Sequence, residues 1–152
     1  MSEFEDPLVT RLKTPADCES FASNVAAKHA GLARQARRRG VQLRAASYGA
    51  KTAAETEAVQ AVFAFEEVRS QFRGKKVRAS RTWQAIKRDG ILPTVEKVVA
   101  RPRETEAYDA LIEAGMSDFT FEAVVMRHPD AFSPQALIHA RMRLQGDQGS
   151  QE

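Results

Sequence analysis

The residues that most often do chemistry are sparse and scattered in this chain. Its three histidines, His29, His128 and His139, lie far apart. A zinc site needs His, Cys and carboxylate ligands gathered at spacings that share one face, and neither H-x-x-x-H nor H-E-x-x-H occurs. His128 precedes Pro129 at the end of an expected helix, where an imidazole can bond to orphan carbonyls. The one cysteine, Cys18, falls in the first turn of an expected helix, where the dipole favours a thiolate; the plainer reading, a small buried hydrophobe, is preferred. Cys18 also cannot form an internal disulfide. Glu66 with Glu67 and Glu104 with Glu106 are paired carboxylates, but acids on solvated helix faces are commonplace. No G-x-S-x-G, P-loop or G-x-G-x-x-G motif is present. No catalytic residue, metal ligand or cofactor is therefore assigned, and the chain is expected not to be an enzyme.

The basic residues carry a stronger signal. The stretch 69–88 reads RSQFRGKKVRASRTWQAIKR, with eight cations in twenty positions and no acid. They are Arg69, Arg73, Lys75, Lys76, Arg78, Arg81, Lys87 and Arg88. Ser70, Ser80, Thr82 and Gln84 are interleaved with them. This is the chemistry of phosphate contact, in which Lys and Arg neutralise the backbone and hydroxyls and amides fix register. Ser80 is expected to cap a helix whose free N–H groups would favour an anion. A second basic patch, Arg34, Arg37, Arg38 and Arg39, would merge with the first if its helix packed beside residues 69–88.

Two short expected helices flank Asp89-Gly90-Ile91, the scale of a helix-turn-helix. The detailed fit is poor. Ile86 stands where a small residue is usual, and Glu96 where an apolar one is expected. Backbone and shape readout are thus favoured over sequence readout. The single tryptophan, Trp83, could stack on a base, but its helical spacing to Ile86 places it in the core.

The charge is segregated along the chain. Residues 1–30 carry a net −2, 31–51 +6, 52–68 −4, 69–103 +9, 104–126 −6, and 127–152 zero, for an overall +3. Such blocks form either a polyanion-binding surface with acidic regions elsewhere or basic and acidic helices that neutralise one another. The second case gives the competing function: a helical protein-interaction module or small regulator, pairing its acidic and basic helices with a protein partner or a second copy of itself.

The elements that must position these residues read as helices. The chain has 152 residues, 43% hydrophobic and 28% charged, enough for one buried core. Few aromatics and no sustained alternation argue against an all-β fold. Thr14-Pro15 opens a helix to about 28. A second, about 32–47, sets Leu32, Ala36 and Leu43 opposite Arg34, Arg37, Arg38 and Arg44, with Arg39 near the apolar stripe and in need of a partner. Thr52-Ala-Ala-Glu55 is a capping box, and the helix it opens, 53–73, bears Ala58, Ala61, Val62, Phe65, Val68 and Phe72 on one face. Gly74 stops it. Further helices are expected at about 81–88, 91–100 and 103–114. Asp118 is expected to cap the next, and Ser133-Pro134 the last, which ends near Leu144.

The expected organisation is a loose leader over 1–13, one compact all-α domain of seven or eight helices over 14–145, and a disordered tail over 146–152. Sub-bundles at 14–73 and 74–145 could share the core. No run is long and apolar enough to span a membrane, and the acidic start Met1-Ser2-Glu3-Phe4-Glu5-Asp6 lacks the features of a secretory signal. A cytoplasmic location is therefore expected.

The segment Arg78-Ala-Ser-Arg-Thr-Trp-Gln-Ala-Ile-Lys-Arg-Asp-Gly-Ile91 resembles part of a small, uncharacterised bacterial all-helical family, as does Phe121-Glu-Ala-Val-Val-Met-Arg-His-Pro129 with Phe132-Ser-Pro134. The resemblance covers most of residues 14–145. It implies a bacterial intracellular protein and no particular activity. The expected function is non-enzymatic binding of nucleic acid, DNA foremost, or of another polyanion, with phosphates docked on 69–88 and on Arg34, Arg37 and Arg38.

Overall fold

A computed structural model describes residues 6–103 and 105–150, with side chains described to Gly146. The described chain is all-α, with nine α-helices and no strand. It divides into two compact units, Met1–Gly49 and Ala50–Glu152. The division therefore lies at Gly49, which ends a helix at φ 85°, and not near residue 74.

The first unit holds α1 (Pro7–Thr10), α2 (Pro15–Val25) and α3 (Ala30–Tyr48). The Thr14 hydroxyl accepts from the Asp17 N–H at 3.0 Å and Pro15 follows it, so α2 starts where the sequence indicates. Small residues let α2 and α3 approach closely. Ala22, Ala33 and Ala36 form their buried seam, joined by Leu12, Phe21 and Val25. A Cβ placed on Gly40 would lie 3.3 Å from the Cys18 Cβ, so glycine suits this crossing. Cys18 is buried there, a small apolar group against a helix backbone.

The described part of the leader is ordered by α3, which differs from a loose segment. Asp6 caps α1 through the Leu8 N–H at 2.8 Å. Its own N–H donates to Gln35 Oε1 at 2.9 Å. Val9 is fully buried. Arg39 meets its need for a partner here, donating from Nε to the Leu12 carbonyl at 2.7 Å. Residues 1–5 lie outside the described residues.

The second unit holds α4 (Ala53–Arg73), α5 (Ser80–Asp89), α6 (Ile91–Val99), α7 (Glu106–Glu113), α8 (Phe121–Arg127) and α9 (Pro134–Ser150). Its main core gathers Ala54 and Ala58 of α4, Val95 and Val99 of α6, Val124 and Val125 of α8, and Phe132, Ala136 and Ala140 around the start of α9. The Thr52–Glu55 capping box forms in both directions. Phe72, expected on the buried face, is 82% exposed on the last turn of α4.

Three local expectations are corrected. Thr120, not Asp118, caps α8, accepting from the Ala123 N–H at 3.1 Å, because a 3₁₀ turn at Ser117–Phe119 delays the helix. Ser80 is the first residue of α5, not its cap; the preceding residue, Ala79, has its N–H taken by a carboxylate of α4. Helix α9 passes Leu144 and continues to Ser150, so residues 146–150 are helical; Gln151 and Glu152 lie outside the described residues.

Candidate nucleic-acid interface

Helix α4 delivers the basic segment and also anchors it. Glu66 lies one turn beyond Val62 on the buried face of α4 and is 6% exposed. Its Oε2 accepts from the Ala79 N–H at 2.8 Å and from Trp83 Nε1 at 2.6 Å. Arg78 Nε stands 3.9 Å from the same oxygen. A carboxylate at a helix start satisfies an orphan donor and complements the dipole. The Ser70 hydroxyl accepts from the Val77 N–H at 2.9 Å. The connector 74–79 is thus tied to α4 at both ends, and the path of its cations is set. Trp83 packs against Phe63 with ring centroids 5.0 Å apart, in keeping with a core role.

The eight cations of 69–88 separate into two groups. Three have acids beside them. Arg69 pairs with Glu106 at 2.8 Å, joining the basic end of α4 to acidic α7. Arg88 Nη2 meets Asp89 at 3.0 Å, and Lys97 Nζ reaches the same carboxylate at 3.1 Å. Arg78 is 62% exposed and keeps its loose approach to Glu66. The hydrogen bond from Arg88, then that from Lys97, holds the Asp89 carboxyl below the usual range, and Asp89 in turn raises Arg88. The other five, Arg73, Lys75, Lys76, Arg81 and Lys87, are exposed and form no ion pair with a described residue. Ser80 is exposed among them.

The second patch belongs to the other unit. Arg34 is exposed on α3, whereas Arg37 and Arg38 are half-buried. Glu104, paired with Glu106 in the sequence reading, lies outside the described residues.

Other carboxylates work inside the fold. Glu96 accepts from the Ser133 N–H at 2.6 Å and from its hydroxyl at 2.8 Å, so the residue that spoils a helix-turn-helix pattern fastens the start of α9. Glu122, 2% exposed, pairs with Arg143 at 2.7 Å. Glu57 receives Arg127 at 2.7 Å, with His128 Nε2 at 3.1 Å, so His128 faces an acid and not the helix-end carbonyls. Among the described residues no three His, Cys, Asp or Glu side chains gather as metal ligands.

A groove opens beside the anchored start of α5. It has a volume of about 460 Å³ and is bounded by the first turn of α5, the end of α6 and the start of α7. Arg78, Arg81 and Arg101 line it with the hydroxyl residues Ser80, Thr82 and Thr105. Phe65, Val98 and Phe121 supply apolar wall. Sequence reasoning reaches Arg78, Ser80, Arg81 and Thr82, and Arg101 as an end-of-helix cation, but does not join Arg101 to them and misses Thr105 and the apolar wall, because only the fold brings these together. No helix among the described residues is long and apolar enough to cross a membrane. Comparison with family models, curated proteins and solved structures finds no match.

Proposed function

We propose that this chain is a non-enzymatic binder of nucleic acid or a similar polyanion, docking phosphates on the segment 69–88. One observation carries the reading: Arg73, Lys75, Lys76, Arg81 and Lys87 are exposed without ion pairs to described residues, at the end of α4 and along the connector and helix that are hydrogen-bonded to it. A connector whose backbone is already held gives up little backbone freedom on binding, and counterion release supplies the affinity. DNA is the first ligand to test.

A second reading has its own observation. Ile138 and Met142, one turn apart on α9, are 51% and 65% exposed, and Phe72 more so. Apolar groups of this kind suit a helical protein partner or a second copy of the chain.

Salt separates the two readings. Anisotropy of a labelled random duplex and a labelled single strand, titrated at about 50 and about 200 mM salt, should show affinity falling steeply, with a log–log slope of about −0.9 per neutralised phosphate on duplex. Absence of binding at the lower salt rejects the polyanion reading and directs attention to α9.

A further inference from the structure

The groove beside α5 differs from a simple basic surface, because its cations border an apolar hollow. Its volume, about 460 Å³, lies within the range of about 300–1,000 Å³ usual for small-ligand sites. Arg78 and Arg81 approach from the start of α5 and Arg101 from just beyond α6. Arginine is suited to phosphate because its planar fork offers two parallel donors. Ser80, Thr82 and Thr105 add hydroxyl donors along the same lining. Among the described residues the one acid lining the groove is Glu106, which is paired with Arg69. Two aromatic rings, Phe65 and Phe121, line the same groove with Val98. A smaller void of about 30 Å³ shares these three residues, so the wall is not fully packed.

We propose that this groove holds one nucleotide unit of a single-stranded nucleic acid, its phosphate on Arg78, Arg81 and Arg101 and its base against Phe65, Val98 and Phe121. The inference rests on the polyanion reading above. A cationic rim alone would suit any phosphate. The apolar wall adds a demand for a flat, weakly hydrated body attached to that phosphate, which is what an unstacked base provides. A duplex keeps its bases stacked and paired and presents only its outer phosphates and groove edges. The concave shape therefore selects the single strand.

The test compares three labelled probes by anisotropy: an oligothymidylate of about ten nucleotides, an abasic strand of the same length and charge, and a duplex. The thymidylate should bind about tenfold more tightly than the abasic strand, the scale of one stacked base. Ala85→Phe on α5 and Ala107→Leu on α7 narrow the groove from two different helices, both positions being half-buried lining residues outside the ion pairs. Either variant that keeps the wild-type circular dichroism should erase the difference while retaining binding to the abasic strand. Equal binding of thymidylate and abasic strand by the wild type overturns the groove assignment and leaves the polyanion reading standing. A difference that survives in the folded variants does the same. Binding of free thymidine monophosphate as tight as that of the oligothymidylate overturns the strand as ligand. Failure of all three labelled probes overturns the polyanion reading itself.

Discussion

Trp83 donates its indole N–H to the buried Glu66 carboxylate at 2.6 Å, and the same oxygen takes the Ala79 N–H one turn earlier. This atom bonds both the start of α5 and its tryptophan to α4, beside the packing of Val62 on Ala79 and Ile86. Replacing Glu66 by alanine leaves both donors without a partner. A buried polar group left unsatisfied costs about 1–3 kcal/mol, so Glu66→Ala should destabilise the fold by about 2–4 kcal/mol in urea melts. A loss below about 0.5 kcal/mol would mean that water replaces the carboxylate at no cost.

The double substitution Lys75→Ala with Lys76→Ala removes two exposed cations from the connector. The circular dichroism spectrum should not change. Duplex affinity should fall, and the log–log salt slope should become shallower by about 1.8 if each lysine neutralises one phosphate. The companion pair Arg78→Ala with Arg81→Ala should weaken binding in the same way. Unchanged affinity in a folded double mutant removes the connector from the interface.

Gly90 joins α5 to α6 at φ 99° and ψ 162°, a conformation open in practice only to glycine. A Cβ there would meet Pro93 Cδ at 3.4 Å, an ordinary contact, so the cost is in the backbone. Gly90→Ala should lower stability by about 1–3 kcal/mol, measured by chemical denaturation. A neutral result would show that the corner between the helices can relax.

Asp89 titrates under the influence of Arg88 first and Lys97 second, and both hold its carboxyl below the ordinary range. In the unfolded chain that carboxyl takes up its proton at the ordinary value, near about 3.9. The stabilisation is therefore complete above that value and is lost as pH falls through the lower value of the folded state. Carbon-13 NMR of the Asp89 carboxyl should place its midpoint below that of a model aspartate. In Lys97→Ala the midpoint should rise. A midpoint at or above the model value would mean that these pairs do not persist in solution.

How much could be read in advance depended on whether the signal was local. The bounds of α4 follow from Thr52, Glu55 and Gly74, which act within a turn of their own positions. The starts at Pro15 and Pro134 are legible for the same reason. The seam between α2 and α3 is less so, because Ala33, Ala36 and Gly40 carry little hydrophobic signal and matter through their small size. Leu32 and Leu43, which read more strongly, are only half-buried.

Carboxylates are the clearest failure of periodicity. Glu66 reads as a solvated acid but is buried, because its partners lie 13 and 17 residues away in the chain. The spacing of Glu66 to Ala58, Val59 and Val62 was a usable sign, since it extends the same helical face. For the site, the basic residues were visible as a run, but composition cannot tell Arg88, paired with Asp89, from Lys87, which pairs with no described residue. Arg101 and Phe121 join the groove only through tertiary packing.

Trp83 is the only tryptophan in the chain. Its ring touches Phe63 and its N–H rests on a carboxylate, all within the α4–α5 junction. The protein's tryptophan emission therefore comes from one chromophore, located one residue from Thr82 on the groove wall. Loosening of α5, loss of the carboxylate or arrival of an occupant nearby would each alter the surroundings of that indole, giving the native chain an optical gauge that requires no label.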